Sequence, residues 1–267
     1  MTRTHPIQSI SVPLLGGAPL VEAAFLARPN QFLVEARLGD GTAVQAHLAD
    51  RGRLLTQLVP GATLVLGHKP GAARKTQFQV AGVYVGSQLV SLDTVLPNRL
   101  IEAALRAGAV PPFAGYGHVE REVRVGGSRF DFGLAPLPPT GAARLGERCP
   151  CLLEVKSVAD VQADGLALFP DAPTTRGRRH LLELAELAER GVRAAVAFVA
   201  QRGDARAVAV NMAIDPAFGA ALAEVAARGV EIYAFRCPLT LAGITLAEEV
   251  PVKLEKSEVR SQKPANE

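Results

Sequence analysis

Short runs of alternating apolar and polar residues, separated by glycine-rich turns, fill the N-terminal third of this chain. The run at residues 32–38 leads into Gly39-Asp40-Gly41, a strong hairpin signal, and the run at 42–48 returns from it. Further strands are predicted at 62–66, 77–81 and 82–86. About five short strands within about 75 residues favour a small β-barrel of the oligonucleotide-binding (OB) type, and a small sandwich fits the same periodicity.

The pattern changes at Pro97-Asn98, where helical periodicity begins. Asn98 is predicted to cap a helix that ends at Gly108, and Gly191 to end a second helix. The remaining predicted elements are strands at 119–125, 129–134, 151–155, 193–199 and 230–235, and a helix at 216–228. This order predicts an α/β domain. The predicted organisation is therefore a loose lead-in over 1–20, a barrel over 21–97, an α/β domain over 98–247 and a disordered, charge-rich tail over 248–267.

Composition narrows the classes of protein to consider. Hydrophobic residues make up 48% of the 267 positions, and no uncharged apolar run reaches 18 residues, so a folded protein without a membrane span is expected. The N-terminus lacks the apolar core of a signal peptide, and the three cysteines lack zinc-ligand spacing, which predicts free thiols in the cytoplasm. A net charge of +3 allows a nucleic-acid partner without indicating one. The sequence does not determine the oligomeric state, and a homo-oligomer is compatible with it.

Four charged residues of the second half suggest a metal site. Glu154 and Lys156 are two apart in the apolar run that starts at Cys151, so both point to the same side of a strand. Asp131 lies in the preceding predicted strand, and Glu102 lies on the predicted helix that opens the domain. Carboxylates that meet at the end of a sheet can hold Mg²⁺ or Mn²⁺, and a lysine beside them can orient water or neutralise a phosphate. Taken singly, a Glu-x-Lys pair on an exposed edge strand and a solvated helix acid are commonplace.

A basic turn follows this strand. Pro170 and Pro173 fix a turn, Thr174 or Thr175 can cap a helix, and Arg176, Arg178, Arg179 and His180 open that helix. Cations are electrostatically unfavourable at a helix N-terminus, whereas its amides bind anions. The arrangement therefore favours a phosphate partner over a merely solvated helix start.

Several of these motifs together resemble the sugar fermentation stimulation protein A family. The resemblance covers roughly residues 20 to 245 and departs from the family pattern at Arg51, where proline is usual. The matching motifs are Ser128-Arg129-Phe130-Asp131-Phe132, Glu154-Val155-Lys156-Ser157-Val158, Phe169-Pro170-Asp171-Ala172, Arg176-Gly177, His180-Leu181, Glu183-Leu184, Asp215-Pro216, Arg74-Lys75, Pro97-Asn98 and the His47–Leu54 segment.

The resemblance implies an OB-type barrel joined to a restriction-endonuclease-like domain of the PD-(D/E)XK type, sequence-independent DNA binding and a regulatory role in sugar, particularly maltose, metabolism. Residues 1–97 carry eight Lys or Arg against five Asp or Glu, which suits contacts with phosphates. The expected nucleic-acid contacts are Arg51, Arg53, Arg74, Lys75, Arg176, Arg178, Arg179 and His180.

The alternative function is a Mg²⁺- or Mn²⁺-dependent nuclease. Asp131, Glu154 and Glu102 would hold the metal, and Lys156 would complete the catalytic set. A transcription factor is the least favoured class, because no helix-turn-helix or other base-reading element is evident.

Overall fold

The computed structural model describes residues 7–254 except positions 51, 53, 56, 70, 72–74 and 139–143. Its N-terminal strands are β1 (Ile10–Val12), β2 (Leu20–Asn30), β3 (Leu33–Leu38), β4 (Ala43–His47), β5 (Thr63–His68), β6 (Phe78–Val85) and β7 (Gln88–Ser91). The strand order is β4-β3-β2-β5-β6-β7, and a parallel pairing of β4 with β6 closes the five strands β2 to β6 into a barrel. The predicted small OB-type barrel is confirmed.

Two details of the barrel differ from the prediction. Strand β2 was not among the predicted strands, and the strands predicted at 77–81 and 82–86 are one strand, β6. Gly82 suggested a break but lies inside β6. A Cβ at position 82 would come 2.5 Å from the carbonyl oxygen of Val90, so glycine is needed for the close approach of β7 rather than for a turn.

The chain ends are more ordered than predicted. The lead-in over 1–20 is not loose within the described residues, because β1 pairs antiparallel with residues 244–246 and Leu14 and Leu15 are buried. The predicted tail likewise begins with paired strands at Glu248–Glu249 and Val252–Lys253, and residues 255–267 lie outside the described part. Both segments were missed because strands of two or three residues carry no periodicity.

Within the described residues, the C-terminal domain contains three α-helices and the remaining strands. These elements are α1 (Leu96–Arg106), β8 (His118–Val125), β9 (Ser128–Ala135), β10 (Cys151–Val158), β11 (Asp160–Val161), β12 (Leu166–Phe169), α2 (Thr175–Glu189), β13 (Arg193–Ala200), β14 (Ala207–Val210), α3 (Pro216–Ala227), β15 (Glu231–Arg236), β16 (Leu239–Thr240), β17 (Gly243–Leu246), β18 (Glu248–Glu249) and β19 (Val252–Lys253). The main sheet has the order β18-β15-β13-β10-β9-β8, with β10, β13 and β15 parallel.

Helices cover both faces of this sheet. The apolar face of α1, including Leu100 and Ile101, packs in one buried cluster with Leu153. Helices α2 and α3 pack in a second cluster on the other face, where Leu184 joins Leu152. The predicted α/β domain is thereby confirmed as a three-layer arrangement. No helix in the described part of the chain is long and apolar enough to cross a membrane.

The start of α1 corrects one sequence prediction. Asn98 does not cap this helix, because α1 begins at Leu96 after Val95 and carries Pro97 in its first turn, where a missing N–H costs nothing. The amide of Val95 donates to Asp93 Oδ1 at 3.2 Å. Asn98 is therefore inside the helix, and its side chain is available for a contact elsewhere.

Candidate active site

Strand β10 holds two charged side chains in the middle of the main sheet. Glu154 and Lys156 point to the same side, as predicted, and Lys156 Nζ lies 2.7 Å from Glu154 Oε1. Only 7% of the Glu154 side chain and 11% of the Lys156 side chain are exposed. Isolated charges are strongly disfavoured at such depth, so each group depends on the other.

His180 is the second partner of Glu154. Thr174 caps α2 by accepting a hydrogen bond from the Gly177 amide, which resolves the choice between the two threonines. The helix then brings His180, 3% exposed, against the sheet, where its Nδ1 lies 2.8 Å from Glu154 Oε1. The His180 ring also packs against Phe130. His180 thus belongs to a buried acid–base cluster and not to the exposed basic surface for which it was predicted.

The electrostatics of Glu154 follow from these contacts. Burial raises the pKa of Glu154, but the hydrogen bond with His180 and the charge and hydrogen bond of Lys156 together outweigh burial and leave this pKa below its ordinary value. Both contacts use Oε1. Oε2 of Glu154 is buried and has no hydrogen-bond partner among the described residues. The second oxygen of the Glu154 carboxylate is therefore held in place without a hydrogen bond of its own to a described residue.

Asp131 lies where β9 separates from β10. The antiparallel pairing of these strands reaches Phe132 opposite Leu153 and goes no further. Beyond that point Asp131 Oδ2 accepts the hydrogen bond of the Val155 amide at 2.8 Å, and Oδ1 accepts one from Asn98 Nδ2 at 2.8 Å. The side chain thereby replaces a missing backbone contact, which fixes its carboxylate beside β10.

Asp131 and Glu154 are electrostatically coupled. Burial first, and the negative charge of Glu154 second, raise the pKa of Asp131 to about 6, although the contacts with Val155, Asn98 and Lys156 lower it. Two carboxylates that disfavour each other's ionisation in this way are a common feature of sites that bind a cation.

Glu102 is held by arginines in this structure. Its carboxylate lies 3.0 Å from Arg106 and 3.4 Å from Arg121, and the described contacts do not join it to Asp131 or Glu154. Asn98, one helical turn earlier on α1, makes the contact with Asp131 instead. The inclusion of Glu102 in a metal site remains a prediction.

The predicted phosphate contacts fall into two groups. Arg176 and Arg179 are exposed at the start of α2, whereas Arg178 is half-buried and its Nε has no partner among the described residues. On the barrel, Lys75 lines a cavity of about 540 Å³ together with His47. Arg51, Arg53 and Arg74 lie outside the described residues.

Whether a metal ion fits this site depends on the side chains that could act as its ligands. No group of three or more His, Cys, Asp or Glu side chains within the described residues is arranged to hold a metal. The two carboxylates nevertheless suit a hard divalent cation, because Glu154 Oε2 lacks a hydrogen-bond partner among the described residues and the negative charge of Glu154 raises the pKa of Asp131. Asp131 and Glu154 would supply two ligands, and the remaining positions would fall to water or substrate oxygen atoms.

The raised pKa of Asp131 predicts the pH dependence of stability in metal-free protein. Asp131 is charged in both the folded and unfolded states well above pH 6, and neutral in both well below its ordinary pKa of 3.8. Its burial should therefore reduce the free energy of unfolding as pH rises from about 4 to 7, by up to about 3 kcal/mol for this difference in pKa.

Urea unfolding in EDTA at several pH values, for wild type and Asp131→Asn, measures this contribution. The variant should gain stability relative to wild type as pH rises, because asparagine does not ionise. Since all other titrating groups are shared, two curves that stay parallel between pH 4.5 and 7.5 would show that Asp131 is not the group responsible.

Two site residues were misjudged from the sequence for a shared reason. Asn98 was taken as a helix cap and His180 as part of a phosphate-binding turn, whereas both orient a buried carboxylate. The spacing of His180 to Leu181 and Leu184 placed it on the apolar side of α2, and this signal could have identified it as buried.

Comparisons with known proteins agree with the two-domain arrangement. Residues 26–92 match the SfsA N-terminal OB domain, and residues 95–243 match the sugar fermentation stimulation protein RE domain. A sugar fermentation stimulation protein homolog of Chloroflexus aurantiacus is 53% identical over 251 residues, covering 94% of this chain and 92% of its own. The homolog of Symbiobacterium thermophilum is 46% identical and covers 90% and 99% of the two chains.

A solved structure is also similar over nearly the whole chain. The structure of Pyrococcus furiosus SfsA in complex with Ca²⁺ superposes with a TM-score of 0.75 at 26% identity. The match covers 93% of this chain and 99% of that protein.

Proposed function

The chain belongs to the sugar fermentation stimulation protein family, and from this premise we propose that it is a divalent-metal-dependent phosphodiesterase that acts on nucleic acid. The observation that carries the proposal is the convergence of Asp131, Glu154 and Lys156 around the point where β9 leaves β10. A module that only binds phosphates has no physical need for a coupled, buried pair of acids.

Support for a divalent cation comes from two directions. Within this chain, the donor set is two carboxylates, one of which has an oxygen atom without a partner among the described residues. Among relatives, the Pyrococcus furiosus protein was solved with Ca²⁺, an ion that takes oxygen ligands as Mg²⁺ and Mn²⁺ do. A bound cation would polarise the phosphate and lower the pKa of an attacking water.

The roles of the surrounding side chains follow from their contacts. Asn98 and the Val155 amide hold the Asp131 carboxylate in one orientation, and His180 holds Glu154 in the same way. Lys156, beside Glu154, is placed to hold a water molecule by hydrogen bonding or to stabilise negative charge that develops on the phosphate. An ammonium group cannot ligate a metal, so its contribution would be to the reaction rather than to metal affinity.

The protein would contact its substrate mainly through the phosphate groups of the nucleic acid. Arg176 and Arg179 are exposed at the N-terminus of α2, whose backbone amides favour anions. The same helix carries His180 into the acid cluster, so a phosphate bound at its start would lie on the element that also orients Glu154. The OB-type barrel, with Lys75, would extend this surface along a nucleic-acid strand.

Removal of Arg176 and Arg179 together should weaken DNA binding similarly for all sequences. Because each arginine would neutralise about one phosphate, the slope of log affinity against log salt should become shallower by about 1 to 2. Fluorescence anisotropy with unrelated labelled DNAs at several salt concentrations measures both effects.

Arg190→Ala is a control for the loss of positive charge, since it removes one arginine at the C-terminal end of α2. Its affinity should stay within about twofold of wild type. A salt slope unchanged in the double variant, or a loss confined to one DNA sequence, would contradict contact with the backbone at this helix start.

A second candidate function is DNA binding without cleavage. It is favoured by the fact that the acids already have protein partners: Glu154 Oε1 contacts Lys156 and His180, and both oxygens of Asp131 accept hydrogen bonds. In that case the cluster would be a structural feature of the domain, and the basic residues would account for the activity.

One assay separates the two candidates. Purified protein is incubated with single- and double-stranded DNA and RNA, in EDTA, Mg²⁺ or Mn²⁺, and the products are resolved by length. Cleavage that requires the metal supports the phosphodiesterase. Intact substrates under every condition, together with salt-dependent binding, would leave the binding function.

A further inference from the structure

A polar cleft of about 570 Å³ lies between the barrel and the C-terminal domain. On one side it is lined by residues at or just beyond the carboxyl ends of strands: Ser157 of β10, Gln201 after β13, and Asn211 after β14. The carboxyl ends of parallel strands are where open α/β sheets usually bind ligands. The residues proposed to act on phosphodiesters do not line this cleft.

Gln201 provides the first indication of a ligand. Its side chain is 4% exposed, and its Nε2 donates to Ser157 Oγ at 2.7 Å. Its backbone amide is fixed by the carbonyl oxygen of Val158 at 2.8 Å. Oε1 of Gln201 is buried without a hydrogen-bond partner among the described residues. A buried acceptor left unpaired is costly, so a donor from a bound molecule would be favourable here.

The charged side chains that line the cleft disfavour an anionic ligand. Asp160 and Asp171 line the cleft and form no ion pair within the described residues. The one arginine of the described lining, Arg202, is already paired with Asp204 at 2.6 Å, and Asp93 with Arg99 at 2.7 Å. The remaining charge is negative, so this cleft repels phosphate and attracts cations.

Size and lining identify the kind of cation. A bare metal ion needs several oxygen ligands close together, and no group of three acidic, His or Cys side chains in the described part of the chain offers that arrangement. The cleft has instead the volume of a small-molecule site, and apolar side chains that include Val85 and Ile214 line it together with the polar groups. This combination suits an elongated molecule with charged N–H donors and methylene segments.

We propose that the cleft binds an aliphatic polyamine. Its ammonium groups interact with Asp160 and Asp171, its methylene groups lie against the apolar part of the wall, and one N–H group donates to Gln201 Oε1. The proposal is independent of phosphodiester cleavage, because none of Asp131, Glu154 and Lys156 takes part in it.

The test is calorimetric titration of nucleic-acid-free protein with spermidine, in EDTA and in 0.15 M salt. Saturable binding with one molecule per chain is expected, weakened at least tenfold in the double variant Asp160→Asn/Asp171→Asn. Asp164→Asn is the matched control: Asp164 accepts the Leu166 amide in the neighbouring turn, asparagine can accept it too, and Asp164 does not line the cleft. Its affinity should stay within twofold of wild type.

A second variant tests the buried acceptor. Gln201→Met keeps the length of the side chain and removes both Oε1 and the Nε2 group that donates to Ser157, so spermidine affinity should fall about five- to tenfold. The thermal stability of the ligand-free protein should change little, because the loss of one hydrogen bond is offset by the loss of a buried unpaired acceptor. Sorbitol, a neutral polyol, should not compete. Equal spermidine affinity in wild type and the double variant, the absence of saturable binding, or competition by sorbitol would each overturn the proposal.

Discussion

Lys156→Ala is expected to reduce metal-dependent cleavage at least about 100-fold while leaving metal binding nearly unchanged. The reason is that Lys156 contacts Glu154 but cannot itself ligate a cation, so its ammonium acts on water or phosphate. His180 remains bonded to Glu154 Oε1 in this variant, so that the carboxylate stays oriented. The measurements are the single-turnover rate with saturating Mn²⁺ and the rise in melting temperature caused by Mn²⁺.

Lys253→Ala controls for the loss of one positive charge, because Lys253 is exposed on β19, far along the chain from the cluster. Its cleavage rate should equal that of wild type. If Lys156→Ala cleaves at the wild-type rate, Lys156 has only a structural role. If the variant loses its response to Mn²⁺ as well, the contact between Lys156 and Glu154 is needed to build the metal site, and the proposed division of roles is wrong.

The part of this site that depends on local geometry could be predicted from the sequence. Glu154 and Lys156 face the same way because strands have a period of two, whatever the rest of the fold does. Strand number and turn spacing favoured a small barrel but also fitted a small sandwich, and Gly82 misled the assignment of β6. At that position glycine is required by the close approach of the neighbouring strand, and the sequence does not show which strand that is.

The unpredicted part depends on where elements start and how they meet. Asn98 faces Asp131 only because α1 begins at Leu96, two residues before the predicted cap. Asp215 likewise caps α3 through the Phe218 amide and also accepts the Thr174 amide at 2.8 Å, which ties the starts of α2 and α3 together. Residue types at single positions do not specify such contacts between segments that are distant in sequence.

The coupling of Asp131 with Glu154 also explains why this cluster is a better candidate for a function than for a stabilising role. A buried acid pair that raises the pKa of one member to about 6 opposes folding near neutral pH unless a cation offsets it. Apolar residues of similar volume would fill the same space without this cost. Metal binding would convert the repulsion into attraction, so the folded state should gain stability from the metal.

Asp131→Asn is accordingly expected to lose both the response to metal and cleavage. In wild type, millimolar Mn²⁺ should raise the melting temperature by several degrees, by mass action on the folded state. Asparagine can still accept the Val155 amide through its oxygen, and Asn98 can rotate its amide to accept from the new side chain, so the fold is retained while one charged ligand is removed.

The outcome of Asp131→Asn distinguishes the carboxylate pair from any other cation site on the molecule. Glu248→Gln is the control. Glu248 is an exposed acid on β18, the edge strand of the same sheet, and its carboxylate pairs with Arg236. It should keep the full response to Mn²⁺ and the full cleavage rate. An equal rise in melting temperature for Asp131→Asn and wild type would locate the metal elsewhere. A variant that no longer responds to Mn²⁺ yet cleaves normally would separate metal binding from the reaction and contradict the proposed function.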